Sequence, residues 1–144
     1  MSTNLYDIDH SAWLEEQTRL LKAGALTEID VSNLIQELSA LMGNERRELY
    51  RRLRVLLAHL LKWEFQAEKR SSSWKGTIRT QRNDILDLLK ESPSLKPLVE
   101  QKIADAYPEA RELAADETGL LEDDFPRVCP YSAEEILDRT FWPR

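Results

Sequence analysis

Leu53-Arg54-Val55-Leu56-Leu57-Ala58-His59-Leu60-Leu61-Lys62-Trp63 is apolar nearly all round when drawn as a helix. A helix greasy on every side is a buried, central one. Its apolar core, Val55 to Leu61, is interrupted by His59 and flanked by Arg54 and Lys62, far short of the ~18 uncharged apolar residues of a membrane span. The stretch is expected to be the spine of a helical bundle.

Working outward, the spine belongs to a helix from about Val31 to about Gln66, N-capped by Asp30, with Leu34, Ile35, Leu38, Leu41 and Met42 as the apolar face of its first half. Gly43-Asn44 could divide it. One mid-helix glycine costs only ~1 kcal/mol, which favours a single long, bent helix. Before it, Asp9 can cap a helix from about His10 to Ala23 that stops at Gly24, with Trp13, Leu14, Gln17, Leu20 and Leu21 inward.

After the spine, a helix from about Ser73 to Lys90 aligns Trp74, Ile78, Arg82, Ile85 and Leu89. A fourth starts after Ser92, with Pro93 in its first turn, and runs to about Glu117 before Gly119. Its inner face is Leu95, Leu98, Val99, Ala106, Ala110 and Leu113. Pro108 removes a backbone bond inside it, so a kink or break is expected at Tyr107-Pro108. Phe125-Pro126 and Cys129-Pro130 read as loop, and Ser132 to Glu135 as the capping box of a short last helix. The reading is an all-α, single-domain helical bundle over residues 1–144: four main helices, one long and central, plus a short C-terminal helix.

A chain of 144 residues can bury its own core. Its one cysteine, Cys129, allows no internal disulfide, which fits a reducing compartment. Met1 to Asp7 has neither the basic nor the apolar region of a secretory leader. The expectation is a cytoplasmic protein with no membrane association.

Leu56-Leu57-Ala58-His59-Leu60-Leu61-Lys62-Trp63 resembles the signature of the bacterial family catalogued as domain of unknown function number twenty-nine. Tyr6-Asp7, Trp13, the Asp30 to Leu38 segment, Trp74, Pro93-Ser94-Leu95 and Cys129-Pro130-Tyr131 match it in order, from about Tyr6 to Pro143. The resemblance implies an α-helical fold in a bacterial cytosol and carries no activity with it. Pro108 departs from the family's pattern.

Charge is segregated beneath a net −6. Residues 1–45 carry −6, residues 46–82 carry +8 and residues 83–144 carry −8. One reading is a nucleic-acid surface, with Arg46, Arg47, Arg51, Arg52, Lys69, Arg70, Lys75 and Arg79 on phosphates and Phe65 or Trp74 stacking on bases. The other is internal neutralisation between oppositely charged helices, which an overall pI near 5 favours. A third is a basic protein partner for the acidic ends.

His59 stands alone in the most apolar segment, where a neutral imidazole can hydrogen-bond for structural ends. Arg54 and His59 also resemble the Arg-four-residues-His motif of the helical nucleotide-binding, ribonuclease-containing families called HEPN, where the pair would polarise a phosphate and move a proton. Positions five apart sit ~140° apart on a helix, whereas Arg52 lies ~20° from the His59 face. Arg82 must pair with a carboxylate, Glu37 or Glu45, or reach solvent. Alternatively Arg54, His59 and Arg82 form an anion site rimmed by Lys62 and Trp63. Trp63 and Trp74 read first as core anchors.

His10 and His59 lie far apart and Cys129 has no partner, so neither metal nor cofactor is expected. No phosphate loop or nucleophile elbow occurs. The sequence points to a non-enzymatic helical module that binds a macromolecular partner or self-associates. The alternatives are a HEPN-like ribonuclease using Arg54 or Arg52 with His59, and a nucleic-acid binder using residues 46–82.

Overall fold

The computed structural model describes residues 4–144. Six α-helices account for the regular structure apart from short 3-10 turns: α1 (Leu5–Ile8), α2 (His10–Lys22), α3 (Val31–Phe65), α4 (Ser72–Glu91), α5 (Val99–Thr118) and α6 (Ala133–Leu137). The described residues contain no strand, so the chain is all-α as its sequence indicates. No described helix is long and apolar enough to cross a membrane.

Contacts divide the chain into two compact units, residues 1–44 and 45–144. In the first, Asp9 caps α2, its Oδ1 accepting from Ala12 N at 3.0 Å. At the other end Gly24 takes a left-handed φ of 71°. Ala25 N then reaches Leu20 O and Gly24 N reaches Leu21 O, which satisfies two orphaned carbonyls. Asp30 ties α2 to α3. Its Oδ1 accepts from Asn33 N in the first turn of α3, and its Oδ2 accepts from Trp13 Nε1 at 3.0 Å. Its own N–H donates to Gln17 at 2.7 Å. Tyr6 and His10 converge on Glu37 at 2.6 and 2.8 Å, with the Tyr6 ring edge-on to Trp13. The large apolar side chains buried in this unit are Trp13 and Leu20.

The second unit gathers around the later part of α3. Leu53, Leu56, Leu57, Ala58, Leu60 and Leu61 are wholly buried, as expected of a central helix. Ile78 and Ile85 of α4, Ala106, Ala110 and Ala114 of α5 and Ile136 of α6 join the same core. Ser71 caps α4 by accepting from Trp74 N, and Ser132 with Glu135 forms the anticipated capping box of α6.

Gly43 does not divide the long helix, in line with the small cost of one glycine: α3 is continuous over 35 residues. One expectation is narrowed and another needs correction. Of the kink or break expected at Tyr107-Pro108 the break is absent, since α5 runs through Pro108 to Thr118. Pro108 and Ala104 both face solvent, so water can satisfy the carbonyl that proline leaves without a donor. The fourth helix begins later than Pro93, because Pro93–Leu98 forms a 3-10 turn with Pro97 inside it. The short α1 adds a single turn ahead of α2; Asn4 caps it, accepting from Tyr6 N.

Candidate interaction surface

The first half of α3 departs furthest from the sequence reading. The apolar face read from the sequence lies open: Ile35, Leu38, Leu41 and Met42 are 58–61% exposed, and only Leu34 is half-buried; Val31, not part of that reading, is 54% exposed beside them. Val31, Ile35, Leu38 and Met42 follow one another at steps of four, three and four. That 3.5-residue period holds one straight seam toward a facing helix, with each side chain able to enter a hole between four others. A stripe serving a globular core is usually broader. The spacing is visible in the sequence but, with Leu34 and Leu41 beside it, fits either case; the exposure decides.

The seam is short of charge as well as open. From Val31 to Asn44 the single ionisable residue is Glu37. It points to Tyr6 and His10, and the hydroxyl of Tyr6 holds its carboxyl below the usual carboxylate range. Serines flank the seam at Ser32 and Ser39, both exposed. On α2, Leu14 and Leu21, one heptad apart, are also exposed, although expected to face inward. Fully burying a side chain of this size is worth roughly 1.5–3 kcal/mol, so such a row is a strong candidate for a partner's surface.

In the second unit the singled-out residues occupy separate positions. Arg54 pairs with Glu109 at 3.0 Å, and Arg52 with Glu48 and Asp84 at 3.0 and 2.9 Å. His59 Nδ1 sits 2.8 Å from the Val55 carbonyl. A carbonyl only accepts, so Nδ1 carries the proton and Nε2 the lone pair. Burial pushes the His59 pKa below the ordinary histidine value, with Lys62 adding to the effect.

Lys62, buried, reaches Glu117 at 2.5 Å and places its ammonium 4.9 Å from the centre of the Trp74 ring. Trp63 packs against Trp142 with the rings tilted at 46° and lies under Arg70, whose Nε donates to the Trp63 carbonyl. Arg82 turns to the carbonyls of Glu135 and Ile136 rather than to Glu45, which accepts from Ser92.

Arg54, His59 and Arg82 thus each have a separate partner: Glu109, the Val55 carbonyl, and the carbonyls of Glu135 and Ile136. Among the described residues, no three metal-capable side chains cluster. An apolar groove of about 710 Å³ does lie along Leu86, Leu89, Pro93, Pro97, Val99 and Leu137. Lys90 and Lys96 line it together with Glu100 and Glu134, so its charges balance and select no ligand class.

Residues 5–142 match the model of a family described as Domain of unknown function DUF29. No curated protein and no solved structure matches the chain.

Proposed function

The chain belongs to the DUF29 family, and from that premise we propose that it is a non-enzymatic helical interaction module whose docking face is the seam Val31, Ile35, Leu38 and Met42. The observation that carries this reading is the coincidence of coiled-coil spacing, exposure above one half at every seam position, and absence of charge along the face. A face of that kind gains by meeting another apolar helix and offers nothing with which to turn over a substrate.

The basic segment supports a ribonuclease or nucleic-acid reading less well. Arg54 and Arg52, the arginines closest to His59 in the motif, are engaged by Glu109, Glu48 and Asp84. To grip a phosphate each would first have to leave a carboxylate.

The test compares fluorescently labelled wild-type chain with Leu38→Glu, alone and in a concentrated cell extract, by sedimentation. The wild type is expected to sediment as a complex in at least one setting and the variant as a single chain in both. Identical sedimentation of the two proteins in both settings overturns the reading.

A further inference from the structure

Resting on that docking face, we infer that its occupant is a second copy of this chain, laid antiparallel so that Val31 meets Met42 and Ile35 meets Leu38 across the pair.

The first argument is what residues 4–44 lack. They bury Trp13 and Leu20, yet leave Ile8, Leu14, Leu21, Leu26 and the α3 row more than two-fifths exposed. A unit this small has too little interior of its own, and oligomerisation is one of the few ways such units are stabilised. The second argument is the missing charge. A partner of a different kind would normally be selected by complementary charges beside the apolar seam. Here serines and leucines occupy those flanks, and Glu37 is turned inward to Tyr6 and His10. An uncharged stripe is complementary to itself.

Register gives the third argument. With Ile35 and Met42 in one class of seam position and Val31 and Leu38 in the other, antiparallel pairing brings unlike classes together in each layer. Val31 then faces Met42, and Ile35 faces Leu38, so each of the four finds a seam partner and a small residue opposes a long one. The two-fold axis falls between Gln36 and Glu37. On one flank Leu34 comes opposite Leu41, and on the other Ser32 comes opposite Ser39, apolar with apolar and polar with polar. Parallel pairing does worse on the flanks, where Leu34 would lie beside Ser39 and Leu41 beside Arg46. The antiparallel arrangement is also isologous and closes at two copies.

The experiment uses the full chain with Cys129→Ser, so that introduced cysteines are the only thiols. Sedimentation across concentration should show a reversible dimer. Leu38→Glu and, independently, Ile35→Ser should weaken it more than tenfold while the far-ultraviolet circular dichroism stays unchanged. For direction, chains carrying Ile35→Cys are mixed with chains carrying Leu38→Cys and oxidised with glutathione disulfide. The antiparallel pair yields the mixed disulfide efficiently, and Val31→Cys on its own yields little.

Efficient self-linking of Val31→Cys with poor mixed linking overturns the antiparallel register. A purified chain that stays monomeric at every concentration overturns the second copy as occupant. Because the extract experiment is separate, a monomer that still enters a Leu38-dependent complex there leaves the docking face standing and removes only this inference.

Discussion

Arg82 donates from Nε to the carbonyl oxygen of Ile136 at 2.8 Å, 54 residues further along the chain. Its Nη2 reaches the neighbouring carbonyl of Glu135 at 3.3 Å, and its guanidinium carbon lies 5.6 Å from the centre of the Trp142 ring. The side chain is wholly buried and Nη1 has no hydrogen-bond partner, so burial draws the Arg82 pKa down, opposed by the nearby charge of Asp138. The arrangement places a cation at the C-terminal end of α6, where carbonyls lack intrahelical donors. It joins α4 to the end of the chain.

Arg82→Ala should destabilise the protein severely. It opens a cavity and removes the donors serving two carbonyls, at a cost of about 3–5 kcal/mol. Arg82→Met, which keeps volume and loses the donors, should cost less. Denaturation by urea with tryptophan emission as probe checks the order; equal losses for the two would show that the carbonyl bonds contribute little.

Tyr131 places its hydroxyl 2.9 Å from Glu64 Oε1 and 3.2 Å from the Leu60 carbonyl, both on α3. Burial, reinforced by Glu64, raises its pKa strongly, so it remains a neutral donor across the working range of pH. Tyr131→Phe should lower stability by roughly 1–3 kcal/mol through the loss of a buried bond to a charged acceptor. An unchanged urea midpoint would contradict this role.

The His59 imidazole contributes a pH dependence whose sign follows from its lowered pKa. As pH falls through the ordinary histidine range the unfolded chain takes up a proton before the folded one does. Stability is therefore full above the unfolded value and declines as pH drops from there toward the folded value. His59→Asn keeps an amide donor for Val55 and cannot titrate. Its stability should change less than that of the wild type between about pH 7.5 and 5.5. Matching slopes for the two proteins would remove His59 as the cause.

Pro108→Ala should stabilise the protein. It restores a backbone donor inside α5 at an exposed position. Interior proline costs ~3 kcal/mol relative to alanine, offset by the ~0.4–1 kcal/mol that proline removes from the freedom of the unfolded chain. A gain of about 2 kcal/mol is expected, read as a higher thermal midpoint. A lower midpoint would mean that the proline ring makes a packing contribution larger than the lost bond.

Much of the secondary structure is legible in the sequence because its causes are local. Asp9 and Ser132 cap helices by reaching amides three residues on, and Gly24 stops one by accepting a positive φ. The run from Leu53 to Leu61 can only be interior, since nearly every face of it is apolar. The candidate surface is half legible. The apolar row from Val31 to Met42 reads as one face, and its coiled-coil period can be counted, yet the same row is equally able to line a core.

What the sequence determined by itself was which residues share a helix and which share a face of it, because periodicity and capping act within a few residues. What the tertiary structure alone decided was what stands opposite each face. Arg82 was free on sequence grounds to choose a carboxylate and found two carbonyls instead. Pro108 could be tolerated only because its side of α5 faces water. Leu53 and Leu38 are the same residue on the same helix, one sealed and one bare. Burial is a property of the neighbours a face meets, and those neighbours come from distant parts of the chain.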